Sequence, residues 1–109
     1  MIEIKSFGKL ELRVGTIELA EDFPEANKPA YKLKIDFGPQ GKKWSRAQIT
    51  ENYNIDELPG CRIVAVFNLG KKKIGSFISE VLVMGTEDTH GNIVLLKPDA
   101  KIREGSLVR

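Results

Sequence analysis

A chain of 109 residues with 41% apolar and 29% charged content is long enough for one compact core and too short for two, and its composition excludes extended disorder. Seventeen Lys and Arg against fifteen Asp and Glu leave a formal charge of +2, so a whole-molecule attraction to nucleic acid is excluded and any such binding must come from a local patch. The single cysteine, Cys61, closes no intrachain disulfide and anchors no Cys-based metal site.

Residues 7–12 offer a helical turn or two, with Ser6 as N-cap and Phe7 and Leu10 on one face. Leu12 and Val14 then alternate, and Ile17 and Leu19 resume in shifted phase after Gly15, which predicts a strand with a bulge near the glycine. A polar, proline-bearing loop over residues 21–29 leads to the clearest pattern in the chain. Tyr31, Leu33, Ile35 and Phe37 alternate with Lys32, Lys34 and Asp36, the period of a strand with one buried and one wet face. Gly38–Gly41 turns the chain, and Lys42 to Ile49 is its hairpin partner. Thr50 is placed to cap a short helix through Glu57, stopped by Pro59 and Gly60. The runs Ile63–Phe67 and Val81–Met84 are continuously apolar, so both faces of each are expected to be covered. A further strand spans Asn92 to Lys97, and the tail carries Ile102, Leu107 and Val108, enough to pack down.

This order predicts an all-β, five-stranded oligonucleotide/oligosaccharide-binding (OB) barrel with a short helix between its third and fourth strands, plus extra N- and C-terminal elements. Residues 1–109 are expected to form a single domain. In such barrels the second and third strands and the first-to-second and fourth-to-fifth connections form the binding face. The run Lys71-Lys72-Lys73 falls in the fourth-to-fifth connection, framed by Gly70 and Gly75. A lysine run after a strand is commonly a solvated hairpin tip; on this loop of this barrel it is also a place for phosphates.

Gly70–Ser76 lacks the lysine position and following helix of a phosphate-binding P-loop, and His90 lies in a turn without partners for acid–base work. Carboxylates are scattered with no hard-metal spacing. An enzyme is therefore not expected, nor is a metal or cofactor. Trp44 and Arg46 share one face of the third strand, and an unpaired arginine is costly in a core, which suggests an exposed Trp44; packing at a barrel end is the alternative. Phe77 follows the lysines and offers a second aromatic face. No segment is apolar for long enough to span a bilayer, and the N-terminus has no apolar signal region; a cytoplasmic protein without membrane insertion is expected.

Leu12-Arg13-Val14-Gly15-Thr16-Ile17, Phe23-Pro24-Glu25-Ala26, Ala30–Gly38, Ala47-Gln48-Ile49-Thr50 and Ser79–Gly85, in order and spacing, resemble the stand-alone tRNA-binding-domain proteins of the CsaA type. These are export-related chaperones that bind unfolded preproteins, with a domain related to the C-terminal module of methionyl-tRNA synthetases. The resemblance implies a homodimeric barrel that binds tRNA or other structured RNA, with unfolded preprotein peptides in the same groove as the alternative. It carries the family's Asn-Leu step and basic residues onto Asn68, Leu69, Lys72 and Lys73, and its Ser-Glu pair onto Ser79 and Glu80. Lysines replace arginines here, Ser76 stands where the family has a glycine, and Gly70-Lys71 replaces a proline. The expected RNA- or peptide-binding residues are thus Trp44, Arg46, Asn68, Lys71, Lys72, Lys73, Ser76, Phe77, Ser79 and Glu80.

Overall fold

The computed structural model describes residues 1–109. Its first three strands, β1 (Leu12–Asp22), β2 (Tyr31–Asp36) and β3 (Lys42–Ala47), form an antiparallel meander. Strand β1 is long because it serves two neighbours. Leu12–Thr16 pairs with β4 (Arg62–Val66), and Thr16–Asp22 pairs with β2. Five shorter strands follow: β5 (Lys72–Ile74) pairs with β6 (Phe77–Ser79), β7 (Leu82–Val83) pairs with β4, and β8 (Gly85–Glu87) pairs with β9 (Ile93–Leu95). The main sheet runs β3-β2-β1-β4-β7. It curls until the Trp44 carbonyl accepts hydrogen bonds from the Glu80 and Val81 amides at 2.7 and 3.3 Å, nearly closing the five-stranded barrel expected from the sequence.

Inward strand residues fill the barrel together with two residues from the connections: Ile17, Leu33, Ile35 and Ile63 from the strands, and Phe37 and Leu58 from outside them, are fully buried. The C-terminal segment covers the edge of β1 that β2 leaves free. Val14 N–H donates to Ser106 O at 2.9 Å, Val108 N–H to Leu12 O at 2.8 Å, and the Arg13 guanidinium to Gly105 O at 2.7 Å. Glu104 anchors this segment, accepting from the Thr16 hydroxyl at 2.8 Å and pairing with Arg62 at 3.0 Å. No helix is long and apolar enough to cross a membrane.

Local expectations are corrected in four places. The bulge lies between Ile17 and Leu19, so Glu18 is the extra residue and not one near Gly15. Gly15 answers a steric need, because a Cβ there would sit 2.7 Å from Ile35 Cγ2 and 2.8 Å from Phe37 Cε1. The N-terminal helix, α1 (Ile4–Phe7), starts earlier than residue 7, with Glu3 and not Ser6 at its N-cap position. It cannot continue, because the Asn68 side chain accepts from Glu11 N–H at 2.8 Å and donates to Lys9 O at 2.9 Å, drawing that stretch straight into β1.

The helix expected from Thr50 to Glu57 is a single 3-10 turn, Ile55–Glu57, preceded by Asn54. Its first residues are committed elsewhere. Tyr53 O accepts the Tyr31 hydroxyl at 2.8 Å, Tyr53 Oη accepts Leu95 N–H at 2.9 Å, and the Asn52 amide donates to Asp88 and to Ile93 O, each at 3.0 Å. Finally, Val81–Met84 is not covered on both sides, because Leu82 remains 46% exposed while Val81 is buried.

Candidate nucleic-acid interface

The lysine run is only partly loop, since Lys71 alone lies outside a strand. Lys72 and Lys73 belong to β5, whose partners across the hairpin are Ser79 for Lys72, Ile78 for Lys73 and Phe77 for Ile74. The turn is the pair Gly75-Ser76, with Gly75 at φ +61° and Ser76 at negative φ, the conformation that suits glycine first in a two-residue hairpin turn. Strand alternation places Lys72 and Ile74 on one face and Lys73 on the other.

Two attachments hold this hairpin against β3. Phe77 packs edge-to-face on Phe23 at 5.1 Å between centroids and on Trp44 at 5.9 Å. The Lys32 ammonium lies 5.7 Å from the Phe23 ring and 5.8 Å from that of Phe77. Trp44 is therefore half-buried, and its ring is engaged with Phe77 instead of standing free. The second attachment is polar: Trp44 N–H donates to the Glu80 carboxylate at 3.1 Å, and Arg46 N–H donates to Ser79 Oγ at 3.0 Å. The structure thus brings Trp44, Arg46, Lys71, Lys72, Lys73, Ser76, Phe77, Ser79 and Glu80 together. Asn68 stands apart, holding the N-terminal segment.

Three clefts surround the hairpin. One of about 430 Å³ is lined by Arg46, Lys71, Lys72, Leu69, Ile74 and Leu82. A second, of about 380 Å³, lies between Lys28, Arg46, Gln48, Lys72 and Lys73. The third, of about 450 Å³, has Lys32, Trp44, Lys71, Ser76, Phe77 and Glu80 on its walls. Arg46 and Lys72 each border the first two, so these form adjoining parts of one basic surface.

Counter-charges separate two sets of cations on this side of the molecule. Lys34 and Lys42 pair with Glu18 at 3.7 and 2.6 Å, and Lys32 pairs with Glu21 at 3.9 Å. The hydrogen bond from Lys42, aided by its charge, holds the Glu18 carboxyl below the usual range and raises the Lys42 ammonium. Lys28, Arg46, Lys71, Lys72 and Lys73 have no carboxylate within salt-bridge distance. Such a cluster repels itself until an anion lies over it. The register adds to this, because Lys32 stands directly opposite Arg46, and the Glu21 carboxylate, 3.9 Å from Lys32, offsets this like-charge pair only on the Lys32 side.

Lys28, Lys32 and Gln48 also line these clefts, and sequence reasoning passed them over. Lys32 carried a signal, its place on the wet face of the alternating strand, but its opposition to Arg46 needs the register of β2 against β3. Lys28 sits in a polar loop whose position no periodicity encodes.

The chain matches the family described as "Putative tRNA binding domain" over residues 12–107. In solved structures it is similar to the CsaA chaperone protein of Picrophilus torridus, with 49% identity, full coverage of both chains and a TM-score of 0.93. It is equally similar in shape to the chaperone CsaA of Bacillus anthracis, with 45% identity, a TM-score of 0.93 and coverage of 100% of this chain and 99% of that one. The methionine–tRNA ligase of Methanocaldococcus jannaschii is 35% identical over 108 residues, which is 99% of this chain and 16% of the enzyme. The chain spans about one-sixth of the length of the ligases it matches.

Proposed function

We propose, from the premise that this chain belongs to the tRNA-binding domain family, that it binds tRNA through the outer face of β2 and β3 and the β5–β6 hairpin. The observation that carries this reading is the set of five cations without acidic partners, Lys28, Arg46, Lys71, Lys72 and Lys73, around adjoining clefts. Phosphates are the ligand such a set accepts. Trp44 and Phe77 are engaged edge-to-face with each other, so recognition rests on charge and backbone shape more than on base stacking. The protein acts by binding, in the cytoplasm, with no cofactor and no reaction of its own. Fluorescence anisotropy with unfractionated tRNA across a salt series tests this. Five phosphate contacts give a slope of log affinity against log salt of about −3.5 to −4.5. Salt-insensitive binding would refute it.

A second reading is favoured by one observation: Leu69, Leu82 and Ile78 are 59%, 46% and 46% exposed beside the same clefts. An unfolded polypeptide placing apolar side chains on these residues competes with RNA for one groove. Titrating tRNA into a complex with a fluorescent unfolded peptide tests this, and simultaneous binding at full affinity would refute the shared groove.

The protein acts as a homodimer. Val94, Leu96, Leu107 and Val108, each at least 36% exposed, line none of the three clefts and supply apolar surface that a second copy would cover. Sedimentation equilibrium should return twice the 12.2 kDa chain mass, and a monomer at high micromolar concentration would exclude the dimer.

A further inference from the structure

We propose that Glu80 is a positioning residue that substitutes for a strand on the open edge of β3 and so fixes where the lysine hairpin stands; the inference rests on the RNA-binding reading of that hairpin. Strand β7, which lies at the far end of the sheet from β3, is only two residues long and hydrogen-bonds to β4. Three backbone groups of β3 therefore face a gap: Trp44 N–H, Trp44 C=O and Arg46 N–H. Glu80 satisfies the first two, its carboxylate accepting from Trp44 N–H at 3.1 Å and its own N–H donating to Trp44 O at 2.7 Å. Ser79 Oγ satisfies the third at 3.0 Å. Left without these partners, the half-buried amides would carry the cost of unmade hydrogen bonds.

The clip matters because the hairpin has little else to hold it. Strands β5 and β6 form a sheet of their own, and no backbone hydrogen bond joins residues 69–79 to the barrel. The clip and the packing of Phe77 between Phe23 and Trp44 attach it. Both act at Trp44, two residues from Arg46, so the spacing between Arg46 and Lys71–Lys73 is inherited from them. Charge argues the same way. Glu80 shares a cleft with Lys32 and Lys71, where a carboxylate opposes an incoming phosphate, so its position is accounted for by the amide it accepts and not by the ligand.

Two substitutions separate position from charge. Glu80→Gln keeps an oxygen acceptor for Trp44 N–H and removes the negative charge, so tRNA affinity should be retained or raised. Glu80→Ala removes both and should weaken tRNA binding about tenfold, the cost of ordering a loosened hairpin on binding. The salt slope should stay at the wild-type value, since the same phosphates are met. In the absence of RNA, amide exchange of Trp44 should accelerate in Glu80→Ala and not in Glu80→Gln. Ser79→Ala, a milder cut, should accelerate Arg46 exchange alone. Glu80→Ala that binds as tightly as wild type, or Glu80→Gln that loses as much as Glu80→Ala, would overturn the proposal. So would unchanged Trp44 exchange in Glu80→Ala. Should the wild-type protein show no tRNA binding, the function reading fails on its own, and Trp44 exchange still decides whether Glu80 holds the hairpin.

Discussion

Replacing Lys71, Lys72 and Lys73 together with alanine should remove most RNA affinity and leave the fold in place. All three are exposed, none has a carboxylate partner, and the turn that forms their hairpin depends on Gly75 and Ser76. Surface changes of this kind shift stability by at most about 0.5 kcal/mol each, about 1.5 kcal/mol for the three, so the thermal midpoint should move by no more than about 6–12 °C. Binding responds differently. Each lost phosphate contact flattens the salt slope by roughly 0.7–0.9, so three make it shallower by about 2.1–2.7. Between about 50 and 200 mM salt, the affinity gap between wild type and variant should then close by roughly 20- to 40-fold. Anisotropy with labelled tRNA, alongside circular dichroism, measures both quantities. A slope equal to wild type in a folded variant would refute the argument, because it would mean that these lysines never displace counterions. Replacing Lys34 and Lys42, which are already neutralised by Glu18, should change the slope far less.

Phe77→Ala should free the hairpin from Phe23 and Trp44; because Trp44 is the only tryptophan, its emission should shift to the red, and unchanged emission would mean that the pair is not formed in solution. Gly105→Ala should destabilise the protein by about 2 kcal/mol or more in urea titration, since Gly105 holds φ +84° and a Cβ there would run into Gln40 Oε1 and Phe37 O. Asp88 accepts from the Asn92 and His90 amides and the Asn52 side chain, which hold its carboxyl below the usual range, led by Asn92. A carboxyl depressed in the folded state supplies stability that is full above the unfolded value of about 3.9 and is lost as pH falls through the lower folded value. Asp88→Asn should therefore flatten the stability curve in that acid window and leave its shape near neutrality unchanged.

Strand β2 was legible residue by residue, because a two-residue period with apolar Tyr31, Leu33 and Ile35 has one physical solution, a pleated strand with one face buried. The five-stranded barrel followed from the order of such patterns. Lys71–Lys73 stood out for the same reason, as charges that cannot enter a core. Other features depend on contacts between residues far apart in the chain. Gly15 breaks the phase of β1 in the sequence, yet it is there to make room for Ile35 and Phe37, while the bulge falls at Glu18, whose carboxylate meets Lys34 and Lys42. Thr50–Glu57 has a helical composition, but Tyr31, Asp88 and the β9 backbone claim Asn52 and Tyr53 before a helix can form. Ser79 and Glu80 look like exposed polar residues beside a basic run, and only the near closure of the barrel gives them the β3 edge, some thirty-five residues away, as hydrogen-bond partner. Local sequence sets which face of each element is apolar, because the free energy of burial is read along a single strand. Where two strand edges meet, and which polar groups are left to be satisfied there, is decided only when the whole sheet curls, because a backbone hydrogen bond needs both of its ends in place.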